Sequence, residues 1–351
     1  MKPFKTRFLE QFFVCMHQRP ANNWDHFRFP EDHPRHNQFL VDRASQFLDF
    51  ILSHSSAFEE TYRLLDDEQS RELMVRLLVY RVLDHHHVQL PLNSPEYWQI
   101  WEAIDGAYLK QESVIQTERW ALNAYFLPEF DVTLYGLAGS IMTMFLLKQY
   151  YYPGPPAIQP EEGDIVIDGG ACWGDSALHF AHSVGERGQV HGFEFVSANL
   201  EIFQRNIDAN PRLADRLYIA PYPMSDCSGK ELFFDDRGPS TNLSQQGSKK
   251  VVTRSIDDYA DELDLPRVDF IKMDIEGSEE DALIGARRVI AEHHPKLAIS
   301  AYHKPDDLFQ LVRTIREIDD GYRFHLGHYT IHNEETVLYA IHPQHGEGSA
   351  D

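Results

Sequence analysis

Apolar positions change their spacing near residue 150, and the change divides the chain. Ahead of it they recur every three or four residues. Between Phe39 and Leu52 the stripe is Leu40, Ala44, Phe47, Leu48 and Ile51, the spacing that lays one face of a helix against a core. Glu68 to Val82 repeats it with Leu73, Leu77, Leu78 and Val82. Pro91 and Pro95 mark a break before a further helix, Glu96 to Ala107. The stripes read as core packing, and residues 1–150 as an α-helical amino-terminal domain.

Three tyrosines and three prolines fall within Lys148 to Pro156, a stiff connector that could bring a tyrosine to the mouth of a site in the second domain. From Asp164 onward short apolar runs alternate with helical segments. The expected strands are Asp164–Asp168, Gln189–Phe193, Leu217–Ala220, Val268–Met273 and Lys296–Ala301, with Glu231–Phe234 as a short extra one. The expected helices include Ser176–Val184 and Glu280–Glu292. This alternation predicts an α/β, doubly wound, mostly parallel sheet with helices on both faces. Tyr322–Leu326 and Thr336–Ile341 have no helix between them, so the last strand should run antiparallel. That domain spans residues 151–343, and 344–351 form a tail.

Composition narrows the partners. The formal net charge is -23, from 55 acids against 32 bases. Phosphate binding needs basic patches, so nucleic acid and anionic membranes are not expected partners. Cys15, Cys172 and Cys227 are scattered and odd in number, which implies neither a zinc site nor a disulfide framework and fits a reducing cytoplasm. Glu10 and Gln11 interrupt the apolar run Phe8–Met16, so it makes a poor signal peptide. The apolar stretch Leu134–Leu147 is short of the about 20 residues of a spanning helix. The sequence sets no oligomeric state, and a homo-oligomer remains admissible.

The chemistry gathers at two strand ends. The first expected strand runs into Asp168-Gly169-Gly170-Ala171-Cys172-Trp173-Gly174-Asp175, and Glu194 closes the next. This is a nucleotide-cradling βαβ unit with an acid placed to grip ribose hydroxyls. The spacing Asp168-x-Gly170-x-x-x-Gly174 is wider than the G-x-G-x-x-G of dinucleotide sites and suits S-adenosylmethionine better than NAD. On this reading the glycines admit the ligand backbone-close, Asp168 meets the ammonium group, and Glu194 accepts from both ribose hydroxyls. Ser225 and Asp226 follow the third strand, where Asp226 would accept from the adenine amino group.

The second strand end is Lys272-Met273-Asp274-Ile275-Glu276. Period two would put Lys272, Asp274 and Glu276 on one side, where open α/β sheets bind ligands. His303 lies just beyond the following strand and is the first candidate for a general base, because imidazole titrates near neutrality. Asp274 would orient a hydroxyl, assist His303, or ligate a divalent metal with Glu276. His325 and His328 are candidates for the acceptor pocket, whereas His85–His87 and His293–His294 read as exposed.

Taken together, these segments resemble the FkbM family of S-adenosylmethionine-dependent methyltransferases. The resemblance rests on the DGGACWGD loop at Asp168–Asp175, the HGFEF segment at His191–Phe195, and Asn199 and Asn206 beyond it. It continues through Ser255–Tyr259 and DFIKMDIEGSE at Asp269–Glu279, and ends with Lys296–His303 and Glu335–Ala340. Phe195 stands where many relatives carry proline. The resemblance implies the class I methyltransferase fold and a cofactor site built from Asp168, Gly169, Gly170, Ala171, Gly174, Glu194, Phe195, Asn199, Ser225 and Asp226. His303, Asp274 and Lys272 are the catalytic candidates from their strand-end positions, and the resemblance implies O-methylation of a small-molecule or glycan acceptor, a sugar or natural product. The alternatives are an NAD-dependent oxidoreductase and a cofactor-binding module without catalysis.

Overall fold

The computed structural model describes residues 1–20, 36–117 and 119–345. Twelve strands are formed among them: β1 Leu109–Gln116, β2 Ala121–Leu127, β3 Val132–Gly136, β4 Ile165–Gly169, β5 Gln189–Phe193, β6 Leu217–Ala220, β7 Glu231–Phe234, β8 Lys249–Val252, β9 Phe270–Met273, β10 Lys296–Ser300, β11 Arg323–His328 and β12 Thr336–Ile341. Seven of them make one sheet in the order β11-β12-β10-β9-β4-β5-β6. Neighbours from β10 to β6 are parallel, while β12 runs antiparallel to both β10 and β11. Strand order reverses between β4 and β9, so the ligand crevice is expected outside their carboxyl ends.

Alternation along the central strands feeds two cores. Val166, Phe270, Ala298 and Val337 face one side with Phe180 and Phe203. Ile167, Ile271, Leu297 and Leu338 face the other, with Leu308 and Ile315 of the helix Asp307–Ile318. Side chains that alternate in this way are buried from both sides, as a parallel sheet between helices requires.

The amino-terminal segment joins both cores. Helices Phe4–Met16, Ser55–Leu64 and Glu68–Leu83 place Phe4, Phe58, Met74 and Leu78 in the core that holds Ile167 and Ile271. The helix His36–Ser53 covers the stripe expected there, although the Leu40 side chain lies outside the described residues. The reading of this region as helical is incomplete, because β1–β3 form a three-stranded antiparallel sheet over the opposite face. β1 was hidden by its polar sequence LKQESVIQ and by register shifts against β2 that break any simple alternation. Two asparagines one helical turn apart fasten β3. Asn206 Oδ1 accepts from Tyr135 N (2.7 Å) and Asn210 Oδ1 from Thr133 N (2.8 Å), while their amides donate back to the same residues' carbonyls.

The expected helix Glu280–Glu292 is two helices, Glu279–Ile284 and Arg287–His293. They part at Gly285, where a Cβ would stand 2.1 Å from the Ser225 carbonyl oxygen. No helix of the described residues is long and apolar enough to cross a membrane.

Candidate active site

The β4 and β9 strands are paired in register, Asp168 beside Lys272 and Gly169 beside Met273. That pairing determines what Lys272 does. Its Nζ donates to the carbonyls of Gly169 and Gly170, each at 2.9 Å, and lies 3.1 Å from Asp168 Oδ1. Asp168 is completely buried, and its Oδ2 accepts from Ser176 Oγ at 2.7 Å. Two ammonium donors are therefore hydrogen-bonded, and the charge is paired with Asp168. Lys272 shapes the glycine loop and is not placed as a catalytic group. Asp168 is sealed beneath that loop and lines neither of the cavities beside it.

The glycines also serve the protein more than a ligand. A Cβ on Gly170, whose φ is +73°, would stand 1.9 Å from the Asp274 carbonyl oxygen. One on Gly174, at φ +85°, would strike the Phe203 ring at 2.2 Å. The two loops after β4 and β9 are thus pressed together at Gly170. Gly169 is packed on Met224, and Ala171 is buried with its N–H on the Phe193 carbonyl. Cys172, to which the sequence assigned no role, adopts φ +48° and reaches the open side of the loop.

Beside this loop two cavities meet. The narrower, about 50 Å³, is lined by Glu194, Phe195, Tyr222, Pro223 and Met224. The wider, about 710 Å³, is walled by Tyr97, Trp98, Trp101, Trp120 and Trp173. Gly170, Cys172, Pro239, Asp274 and Glu276 line both. The amino-terminal helix Pro95–Tyr108 therefore contributes a wall of the site and not only core packing. Tyr97, Trp98 and Trp101 share one face of it at helical spacing, a pattern indistinguishable from core in the sequence.

Glu194 lies at the narrower cavity. Its Oε1 accepts from the backbone N–H groups of Phe195 (2.6 Å) and Val196 (2.7 Å), and its Oε2 from Asn199 Nδ2 (3.0 Å). Asn199 in turn accepts from Trp173 Nε1 at 3.0 Å, so it orients Glu194 instead of lining the cavity. A carboxylate offers about four acceptor positions, which leaves room for a further donor. Burial raises the Glu194 carboxyl to about 7 against those three hydrogen bonds. Ser225 and Asp226 are not at the cavity. The chain after β6 passes it at Tyr222–Met224, and Asp226 turns out to accept from Ser225 Oγ (2.9 Å) and Lys230 Nζ (3.2 Å).

Period two fails beyond Met273, because the strand ends there. Asp274 and Glu276 instead sit in a turn, where Glu276 takes φ +55° and Gly277 φ +94°. Asp274 is gripped by Tyr150 of the connector, whose hydroxyl donates to Oδ2 at 2.8 Å, and by Tyr302, which donates to Oδ1 at 3.1 Å. Burial pushes its carboxyl up, but His303 and Lys272 outweigh that and the net shift is down. Glu276 is raised to about 7 by burial, opposed by His303 and aided by Asp274 and Glu279.

β9 and β10 are parallel neighbours, and His303 does reach the same edge as Asp274. Its Nε2 lies 3.5 Å from Asp274 Oδ1 and 3.8 Å from Glu276 Oε2, and its Nδ1 lies 3.0 Å from Glu279 Oε1. Burial disfavours its charge, yet Glu279, Asp274 and Glu276 together raise it to about 9. At neutral pH His303 is therefore an imidazolium and holds no free lone pair, so it is not the ready base its ordinary titration suggested. Glu279, 1% exposed, closes the DFIKMDIEGSE block, where the sequence assigned it no role; it accepts from Ile275 N at 2.8 Å.

The two histidines expected in the acceptor pocket are structural instead. His325 is buried on Asp67 (2.7 Å) and His328 on Thr336 (3.0 Å), and Thr330 and His332 line the wide cavity in their place. His85 is buried against Asp84. His293 accepts from Val268 N and His294 pairs with Asp319, so neither is an exposed surface residue.

Residues 168–325 match the family described as Methyltransferase FkbM domain. Among solved structures, the chain is similar to a methyltransferase FkbM from Methylobacillus flagellatus, with 23% identity and a TM-score of 0.54, covering 83% of this chain and 60% of that one. Fibrillarin from Aeropyrum pernix, with natively bound S-adenosylmethionine, aligns at 13% identity over 66% of this chain and 99% of its own, with a TM-score of 0.38. No curated protein matches the sequence.

Proposed function

Residues 168–325 belong to the FkbM family of S-adenosylmethionine-dependent methyltransferases, and from that premise we propose that this protein methylates a hydroxyl group of an uncharged, polyhydroxylated acceptor, a sugar or natural product. The observation that carries the proposal is the meeting of the two cavities at Asp274 and Glu276. The narrower one offers Glu194 to a ribose. The wider one offers indole faces and carboxylates, the surfaces on which the C–H and O–H groups of a sugar find partners. Among the described residues Lys272 is the one lysine or arginine lining it and is held by the loop carbonyls and Asp168, and His303 is held by Glu279, Asp274 and Glu276, so neither cation is free for an anionic acceptor.

S-adenosylmethionine supplies a methyl group on a sulfonium. Transfer to the acceptor oxygen would leave the C–S electron pair on sulfur and pass the hydroxyl proton to a carboxylate at the junction, where Glu276, raised to about 7, is placed to take it. What the chain supplies is position and charge. Tyr150 and Tyr302 fix Asp274, and Asp274 and Glu276 accept from the acceptor at the junction. Holding the two partners in line can supply several kcal/mol of the barrier, roughly 7–11 in the best cases.

Calorimetry tests the premise. S-adenosylhomocysteine should bind and NAD should not, and the reverse result would overturn the methyltransferase reading. Glu194→Ala should weaken that binding by about 1.5–3 kcal/mol, the range for hydrogen bonds to a charged group. Mass spectrometry of methyl glycosides incubated with the protein and S-adenosylmethionine should then show a gain of one methyl group.

A further inference from the structure

We propose that Asp274, Glu276 and His303 form a site for one divalent cation, with Glu279 holding His303 from behind. The inference rests on the proposed reaction only for its purpose. It stands on the geometry of the cluster.

His303 is the observation that points to a ligand. Its side chain is 8% exposed, and neither ring nitrogen makes an aligned hydrogen bond. Nε2 faces Asp274 Oδ1 at 3.5 Å and Glu276 Oε2 at 3.8 Å. Both gaps are too long for hydrogen bonds. They are the gaps of ligands arranged around something between them. Ligands about 2.1 Å from a common octahedral ion lie about 3.0 Å apart when adjacent and about 4.2 Å apart when opposite. The two separations from Nε2 fall between those limits, so small movements of the three side chains would bring them onto one ion.

The other side of the ring fits the same account. Glu279 Oε1 stands 3.0 Å from Nδ1, and Glu279 Oε2 is buried with no hydrogen-bond partner. A carboxylate behind the non-ligating nitrogen is the usual partner of a metal-bound histidine, fixing its tautomer and raising its basicity. Asp274, Glu279 and His303 bring ligand atoms within 4.8 Å of one another, and Glu276 joins them through its 3.8 Å approach to the same Nε2. The donor set of two carboxylates and one imidazole, with the rest of the shell open to the wide cavity, suits Mn²⁺ or Mg²⁺ better than a thiophilic ion. The site lies where the acceptor hydroxyl must lose a proton, and a cation there supplies Lewis acidity at that point.

The test needs no acceptor. The full-length protein, stripped with chelator, is titrated with Mn²⁺, and free Mn²⁺ is followed by electron paramagnetic resonance. One ion per chain should bind. His303→Ala should weaken binding at least tenfold, and Glu279→Gln by about 10–100-fold, the usual effect of losing such a supporting carboxylate. His303 and Glu279 do not line the narrower cavity, so S-adenosylhomocysteine affinity measured on the same variants should stay within about threefold and report that they are folded. Should His303→Ala fail to fold, Glu276→Gln takes its place for the metal titration. Absence of Mn²⁺ binding by the parent protein would overturn the proposal while leaving the methyltransferase reading standing. Binding that survives both substitutions would overturn it too, since the ion would then sit at another cluster such as Asp84–His85–His86. Failure to bind S-adenosylhomocysteine with Mn²⁺ binding intact would sink the other reading instead.

Discussion

At the scale of single residues, Lys272 is the clearest case of a chemical group turned to a structural use. It is 2% exposed, its partner Asp168 is fully buried, and it holds two loop carbonyls besides. Removing one member of such a pair leaves a buried charge uncompensated, which costs about 3–5 kcal/mol. Lys272→Met should therefore lower stability by about that amount in urea melts. The double variant Lys272→Met with Asp168→Asn should recover a good part of it, because the unpaired charge is gone. If Lys272→Met melted like the parent but lost turnover, the residue would be catalytic and the structural account wrong. The identity of these residues was legible in the sequence, since Asp168, Glu194, Asp274 and His303 all lie at sheet edges where a doubly wound fold binds ligands. Their states were not. Whether His303 is an acid or a base depends on Glu279, and whether Lys272 is free depends on the register that sets it beside Asp168. Neither fact exists before the chain folds.

At the scale of elements, the segment Gly238–Leu243 closes over the narrower cavity, with Gly238, Pro239, Thr241 and Leu243 among its lining. Ligand pockets commonly measure about 300–1,000 Å³, whereas this cavity encloses about 50 Å³. Something must move to admit a nucleoside. The segment is held largely by its own bonds, Thr241 N and Oγ1 to the Gly238 carbonyl and Arg237 N to Thr241 Oγ1. Residues beyond it, 244–250, are exposed. Few buried contacts mean local opening at small free energy. Added S-adenosylhomocysteine should slow amide exchange at residues 238–243 at least tenfold and leave β4 and β9 unchanged. Unchanged exchange there, with the ligand bound, would mean that the cofactor enters without this cover. Strands and their order were readable because period two and the helix between each pair leave a strong pattern. The cover was not, because a loop's position depends on what it packs against.

At the scale of the molecule, the boundary near residue 150 marks a change of pattern, but not of core. Leu65 pairs with Phe324 as a parallel bridge at the outer edge of β11, and Asp66 N donates to the Phe324 carbonyl at 2.8 Å. Ser70 Oγ accepts from Leu326 N at 2.9 Å, and Asp67 binds both His325 (2.7 Å) and Tyr152 (3.0 Å). The amino-terminal segment thus covers the sheet edge that would otherwise present unpaired backbone groups, a template for aggregation. It also covers apolar surface, since Phe58 meets Phe309 edge-on with ring centres 5.1 Å apart. A chain begun at residue 151 would expose that ring, the β11 edge and the buried His325 at once. It would also lose Tyr150 from Asp274 and the tryptophans of the wide cavity. Such a chain should be largely insoluble, and any soluble fraction should melt without a sharp transition. A cooperative melt with S-adenosylhomocysteine affinity close to the parent's would show instead that residues 151–343 fold by themselves. The expectation comes from where the apolar contacts fall. Phe4, Phe58 and Met74 lie in one cluster with Ile167, Ile271 and Leu338, so the first helices and the central sheet bury each other.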